Sequence, residues 1–479
     1  MVSFLLVPFI LVVILNLVNT AGVRRYATAV GIGWSLLQLL WALFPSTRFA
    51  ALDSGILGID FPAILGMDGL SLILVISAGL VGLVTFIVGQ ATIADEKARF
   101  SFANLVLLTM AGLNGLVMVR DLFSLYVYIE VVAVASFVLI SLEHEKHALE
   151  GAFKYLILSA SASMLMLLSI AAILLVCGST SFSTVHSVIG TVPHTGLVAT
   201  AIVLFIVAAF IKGGLVPFHG WLPDAYSSAP QSVSVLLAGI VTKTAGVYTA
   251  MRIVTSVFGF TPLVQGLLLF IGTVSIIFGA LGALNQKDFR RMLAYSSISQ
   301  MGYIIVALGC GTVYGLAGAL FHLFNHAVSK SQLFVNAAAV ERQTGTRDMT
   351  KLGGLASRMP VTGGTSVVAL LSIAGIPPLA GFWSKLVIII ALWQSGHPTY
   401  AVVAVVASTI TLGYFLLLQR RLFFGLTPPE LAGVKEAGAG IVVPALVLSA
   451  IAVVVGIAFP VAIKWFVNLP VDILNLVAH

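Results

Sequence analysis

Long apolar runs broken by short polar interludes dominate the chain. Runs of roughly 17–25 residues or more, the length that crosses a hydrocarbon core, recur about fourteen times. They lie near 2–20, 27–44, 66–90, 101–119, 122–142, 151–177, 197–218, 231–257, 263–284, 292–310, 313–338, 361–395, 399–424 and 441–466. A backbone in lipid must satisfy its hydrogen bonds within its own segment, so the pattern predicts membrane-spanning helices. Two runs are interrupted. Span seven reads FIVAAFIKGGLVPFHGWLPDAY, with Gly213, Gly214 and Pro217 breaking it beside Lys212. Span twelve reads LLSIAGIPPLAGFWSKLVIII, with Gly375, Pro377, Pro378 and Gly381 ahead of Lys385. Interrupted helices at corresponding places point to inverted repeats. An offset of five spans gives spans four to eight and nine to thirteen opposite orientations. The expected division is three N-terminal helices (1–100), a first five-helix repeat (101–258), a second (259–425) and a last helix (426–479).

Composition narrows the class. Hydrophobic residues make up 59% of the chain and charged residues 9%, and the mean hydropathy is +1.11. This is the make-up of an all-α polytopic membrane protein and of no soluble domain. The formal charge of +7 reflects loops on the cytoplasmic side rather than nucleic-acid binding. Loops after odd-numbered spans carry Arg24, Arg25, Lys97, Arg99, Lys146, Lys287, Arg290, Arg291, Arg342, Arg347, Lys351, Arg358, Arg420, Arg421 and Lys435. Even-numbered loops carry Arg48, Arg120 and Arg252. The bias places odd loops inside and both termini on the outer face. The first run has no basic residue ahead of it and is followed by Arg24-Arg25, so it is expected to be a retained span. Cys177 and Cys310 are isolated in apolar segments and suggest no disulfide framework or metal site.

The ionisable residues inside the apolar runs carry the chemistry. A lysine at a helix centre in lipid costs about 2.5–3.5 kcal/mol on insertion scales, yet Lys212, Lys243, Lys330 and Lys385 all lie there, with Lys154 near a span end. Glu130 is the clearest acid. His322, His326 and Lys330 fall at i, i+4 and i+8, on one helix face and over roughly 12 Å of axis. Histidine titrates near neutrality, and an apolar medium disfavours the charged form of an amine. Such a row can pass protons. Two rival readings, a metal held by the H-x-x-x-H pair and histidines that only hydrogen-bond between helices, fit less well; no third ligand accompanies the pair and Lys330 opposes a cation. The predicted cycle pairs Glu130 with Lys212. Separating them releases a proton from Lys212, which passes through Lys243, His322 and His326 toward Lys385. The nitrogen-rich inventory favours protons over sodium, which prefers clustered oxygens. No nucleotide loop, C-x-x-C pair or nucleophile motif appears.

Several stretches together resemble a known family. These are DLFSLYVYIE, AFKYLILSASAS, KGGLVPFHGWLPDAYSSAPQSVSVLLAGIVTKTAGVY, NQKDFRRMLAYSSISQMGY, HLFNHAVSKSQLF and GIPPLAGFWSK. In order, over about residues 60 to 425, they look like the antiporter-like membrane subunits of respiratory complex I, Mrp-type sodium/proton antiporters and energy-converting hydrogenases. The resemblance implies fourteen helices, two inverted repeats and breaks in helices seven and twelve. It implies an ion pair at Glu130 and Lys212, a central lysine at Lys243, a relay at His322, His326 and Lys330, and an exit residue at Lys385. Lysine rather than glutamate at 385, and ASFVLI after Glu130, look more like the Mrp D-type and hydrogenase branches. It further implies a prokaryotic cell membrane, partner membrane subunits and a peripheral redox arm. Iron–sulfur, nickel–iron or flavin centres would then sit on those partners, with none on this chain. The expected role is a proton-translocating subunit of a redox-driven complex. The alternatives are a D-type component of a gradient-driven Mrp antiporter and a free-standing transporter.

Overall fold

The computed structural model describes residues 2–44, 65–191 and 196–475. Almost all of the polar interlude at 45–65, with Arg48, lies outside the described residues. Seventeen helices fill the rest and no strand occurs among the described residues. They are α1 Val2–Leu17, α2 Ala21–Leu43, α3 Gly69–Thr92, α4 Glu96–Met118, α5 Leu122–Ile140, α6 Lys146–Cys177, α7 Phe182–Thr191, α8 Gly196–Gly213 and α9 Trp221–Ser228. Then come α10 Gln231–Phe258, α11 Pro262–Leu284, α12 Phe289–Gly309, α13 Val313–Thr344, α14 Pro360–Ala374, α15 Ala380–Gln394, α16 Pro398–Phe423 and α17 Ala439–Asn475.

Eleven of these are long and apolar enough to cross a membrane. Helix α13 has the length, 32 residues, but carries His322, Asn325, His326, Lys330 and Gln332. The short polar joints supply the helix starts. Asp68, Asp95, Asp121 and Asp288 each accept a backbone N–H from the first turn that follows, at 2.7–2.9 Å. An acidic N-cap satisfies a free donor and complements the helix dipole.

Both predicted breaks are present. Helix α8 ends at Gly213, and the chain turns through Gly214 and a cis Val216–Pro217 bond before α9. Helix α14 ends at Gly375, whose φ of 87° suits glycine, and a cis Pro377–Pro378 bond precedes α15. The freed carbonyls find partners, as buried backbone must. Ile211 O accepts Trp221 Nε1 at 3.1 Å, and Ala374 O accepts Ser408 Oγ at 2.9 Å.

Helices α10 and α12 lie almost wholly inside the bundle, whereas α2, α6, α16 and α17 turn much of their surface outward. That outward surface is apolar, with Met164, Leu168, Leu175, Val402 and Val454 exposed. The polar side chains therefore gather on the enclosed helices. Helix α10 departs from regular α geometry, with π-helical turns at Leu237–Val241, Lys243–Tyr248 and Val254–Phe258. Such i→i+5 turns are rare and often mark functional positions.

Helices α8 and α10 meet backbone to backbone where Gly213 faces Gly246, and a Cβ at Gly246 would land on the Gly213 Cα and N. Gly246→Ala must therefore part the two helices beside Lys212. The expected result is a destabilisation of about 1–3 kcal/mol, the usual cost of overpacking. Gly220→Ala, where the added methyl meets nothing within 4 Å, is the matched control. Thermal unfolding of the two variants checks the difference.

Candidate functional site

Glu130 on α5 and Lys212 at the end of α8 come together across α6. Lys212 Nζ donates to Glu130 Oε1 at 2.8 Å, to Ser159 Oγ at 2.7 Å and to Ser163 Oγ at 2.9 Å. Ser163 also donates to Glu130. Ser159 and Ser163 lie four residues apart, so one face of α6 presents both hydroxyls. The pair is asymmetric: the Lys212 side chain is 2% exposed and that of Glu130 31%. The ammonium is the trapped partner and the carboxylate the reachable one. Removing both hydroxyls (Ser159→Ala with Ser163→Ala) leaves Lys212 only its carboxylate. This is expected to slow transport by about tenfold, given roughly 1.5–3 kcal/mol per hydrogen bond to a charged group and partial replacement. Vesicle transport rates check it.

Lys243 is fully buried in a π-helical turn of α10, where its Nζ donates to the Ala238 carbonyl of the preceding turn. It has no acidic partner among the described residues. On α13, Lys330 donates to Leu293 O at 2.9 Å and to Ser296 Oγ, with its ammonium 5.6 Å from the Phe415 ring centre. His322 and His326 stack with ring centres 6.2 Å apart and an interplanar angle of 11°. His322 Nδ1 meets Ser384 Oγ at 2.8 Å. The other nitrogen of His322, both of His326 and Asn325 Nδ2 are buried without a protein partner.

Lys385 closes the row. Its Nζ donates to Ser408 Oγ at 3.0 Å and lies 4.7 Å from the Tyr303 ring centre. Tyr303 in turn packs against His322 at 5.8 Å. A cavity of about 250 Å³ at the second break is lined by Gly375, Lys385, Ser408 and Thr409, so Lys385 stands between the interior row and an opening.

Of the seven residues singled out in the sequence, Glu130 and Lys212 are joined by an ion pair, His322 and His326 stack, and Lys385 reaches His322 by way of Tyr303, while Lys243 and Lys330 donate to backbone carbonyls. No hydrogen bond joins Lys212 to Lys243 among the described residues; the Gly213–Gly246 contact joins their helices instead.

Two cations assigned to loops by their sequence positions are interior. Arg252 is 1% exposed and grips Asp68 with both nitrogens, at 2.6 and 2.8 Å. Burial works against the Asp68 carboxylate, but Arg252 and then Arg120 hold it well below the usual carboxylate range. Arg290, 3% exposed, donates to Tyr226 O at 3.1 Å and Ala229 O at 2.6 Å. It thereby neutralises the carbonyl end of α9. Lys154, near a span end, is partly exposed: its side chain is 43% exposed and pairs with Glu150 and Asp224, each at 2.7 Å.

Residues 119–411 match the family described as NADH:quinone oxidoreductase/Mrp antiporter, transmembrane. The chain is 34% identical over 366 residues to the D-type component of the Na(+)/H(+) antiporter of Alkalihalophilus pseudofirmus, covering 76% of this chain and 74% of that one. It is also 34% identical over 376 residues to the N-type component of the NADH-quinone oxidoreductase of Desulforudis audaxviator, covering 75% of each. Among solved structures it superposes on a chain of the Mrp complex from Dietzia sp. with a TM-score of 0.89 and 25% identity. That match covers 98% of this chain and 96% of the other.

Proposed function

The chain belongs to the NADH:quinone oxidoreductase/Mrp antiporter transmembrane family, and from that premise we propose that it moves protons along its buried row of lysines and histidines. The observation that carries this reading is the row itself: four amines and two imidazoles buried within the bundle, with the partly exposed Glu130 carboxylate at one end. In the closed pair, Lys212 holds a proton against Glu130 and two serine hydroxyls. Pulling Glu130 away leaves the ammonium in an apolar pocket, which disfavours its charge and drives the proton onward. Lys243 receives it, and His326 passes it to His322 through nitrogens free to accept or donate. The unpartnered polar atoms along this stretch are groups that water can bridge. Lys385 then exchanges the proton through the cavity at the second break, and re-forming the Glu130–Lys212 pair reloads the start.

In this reading the two breaks belong to inverted repeats over spans four to eight and nine to thirteen, in a prokaryotic cell membrane with both termini on the outer face. The distribution of lysine and arginine among loops supports that orientation. The chain works beside other membrane subunits, and a redox arm carrying iron–sulfur, nickel–iron or flavin centres on partner chains drives it. A second reading, a component of a gradient-driven sodium/proton antiporter, is favoured by the likeness to the D-type antiporter protein.

The partners decide between them. Gentle purification from native membranes, with mass spectrometry of what co-migrates, is expected to recover membrane partners together with redox-centre subunits. Small hydrophobic partners without redox centres would overturn the redox drive in favour of the antiporter. Recovery of the chain alone would overturn both.

A further inference from the structure

The proton relay leaves one charge cluster unused, centred on the buried Arg252. Asp68 precedes α3, Arg120 follows α4, and Arg252 lies near the end of α10, so three separate segments converge at one end of the bundle. Arg252 Nη1 and Nη2 donate to Asp68 Oδ2 and Oδ1, and Arg120 Nη2 donates to Oδ2 at 3.0 Å. The Ser71 N–H donates to Oδ1 at 2.9 Å. These four donors fill the lone-pair positions that a carboxylate offers. Arg252 also donates to Ser71 Oγ and to Tyr248 OH, both at 3.0 Å, and Tyr248 gives its own proton to Val117 O at 2.7 Å.

Arg252 shares its helix with Lys243. Eight residues lie between them. Tyr248 is the one titratable side chain in that interval of the sequence, and its hydroxyl is committed at both ends. The threonines are committed too: Thr244 and Thr249 donate to carbonyls one turn back, at 3.0 and 3.2 Å. Beyond them stand two guanidiniums, which stay protonated and accept nothing. The Asp68 carboxylate pins both guanidiniums in place, and an arginine charge held fixed across a path excludes protons and other cations from a pore. No member of the cluster is free to pick a proton up or hand one on.

The geometry points to a seal. Asp68, Arg252 and Arg120 close this end of α10 to protons, so that Lys243 exchanges them with the interior row and not directly with the adjacent membrane face. The inference rests on the proton-relay reading, since a seal has a purpose only where a relay runs beside it.

The test is passive proton leak in right-side-out membrane vesicles carrying the native assembly at rest, with a pH-sensitive dye inside and an acid step outside. Asp68→Asn frees Arg252 and opens a path to Lys243. The expected result is a leak raised by about tenfold or more, the factor for about 1.4 kcal/mol off a barrier. Adding Lys243→Met should return it to the wild-type rate. A merely structural role for the cluster would give a leak that ignores Lys243. Arg120→Gln, which removes one contact at the rim, is expected to leak less, with the same dependence on Lys243. Tight Asp68→Asn vesicles, or a leak that survives Lys243→Met, overturn the seal. If Asp68→Asn fails to accumulate, tight Arg120→Gln vesicles do so. Failure of the underlying relay shows separately, as wild-type proton movement during turnover that is unaltered by Lys212→Ala.

Discussion

Glu130→Ala is expected to lower proton translocation by about a hundredfold or more and to destabilise the bundle. The asymmetry of the pair is the reason. Lys212 is 2% exposed and Glu130 31%, so deleting the acid leaves its partner charged, buried and held only by Ser159 and Ser163. Breaking a buried ion pair in this way costs about 3–5 kcal/mol, and the partial exposure of Glu130 puts this case near the lower figure. About 3 kcal/mol corresponds to somewhat more than a hundredfold. The double variant Glu130→Ala with Lys212→Ala removes the stranded charge as well. It is expected to recover stability, because replacing both members of a buried pair is often close to neutral, while translocation stays lost. Thermal unfolding and vesicle transport, measured on the same two variants, check both halves. Full translocation in Glu130→Ala would make the pair a structural contact.

Lys243→Met is expected to separate stability from function in the opposite direction. The amine is fully buried, with the Ala238 carbonyl as its hydrogen-bond acceptor. An amine enclosed without a carboxylate is costly to hold, and methionine fills a similar volume without a polar atom. Unfolding temperature should stay level or rise, while translocation falls to background. A drop in unfolding temperature with translocation retained would contradict the relay at its centre. Buried groups that destabilise the fold they occupy are retained for what they do.

The two breaks and the seven ionisable residues singled out inside the apolar runs stand out in the sequence because each violates its surroundings. Glycine and proline interrupt apolar runs, and lysine in such a run is an outlier that hydropathy exposes. Other features left weaker traces. Ser159 and Ser163 clasp Lys212, yet serine is common in membrane helices, and only their four-residue spacing hints at a shared face. The sequence places Arg252 in a loop because a cation within a few residues of a span end looks interfacial. Its partner Asp68 lies 184 positions away, so no local pattern reveals that the guanidinium turns inward. Arg290 misleads in the same way, since what draws it in is the carbonyl end of α9, a feature of the fold and not of composition. Helix α7, ten residues long, is too short to stand out from the polar stretch around it. The π-helical turns of α10 leave no mark in hydropathy, because an i→i+5 turn shifts the register without requiring a particular residue type.

The central claim is that protons cross through the buried row ending at Lys385. Dye-reported proton movement in inside-out membrane vesicles, with the native assembly turning over and sodium omitted, tests it most directly. The account predicts translocation in wild-type vesicles and its loss in His326→Ala and Lys385→Ala. Translocation that needs sodium, or that persists in both variants, would contradict it.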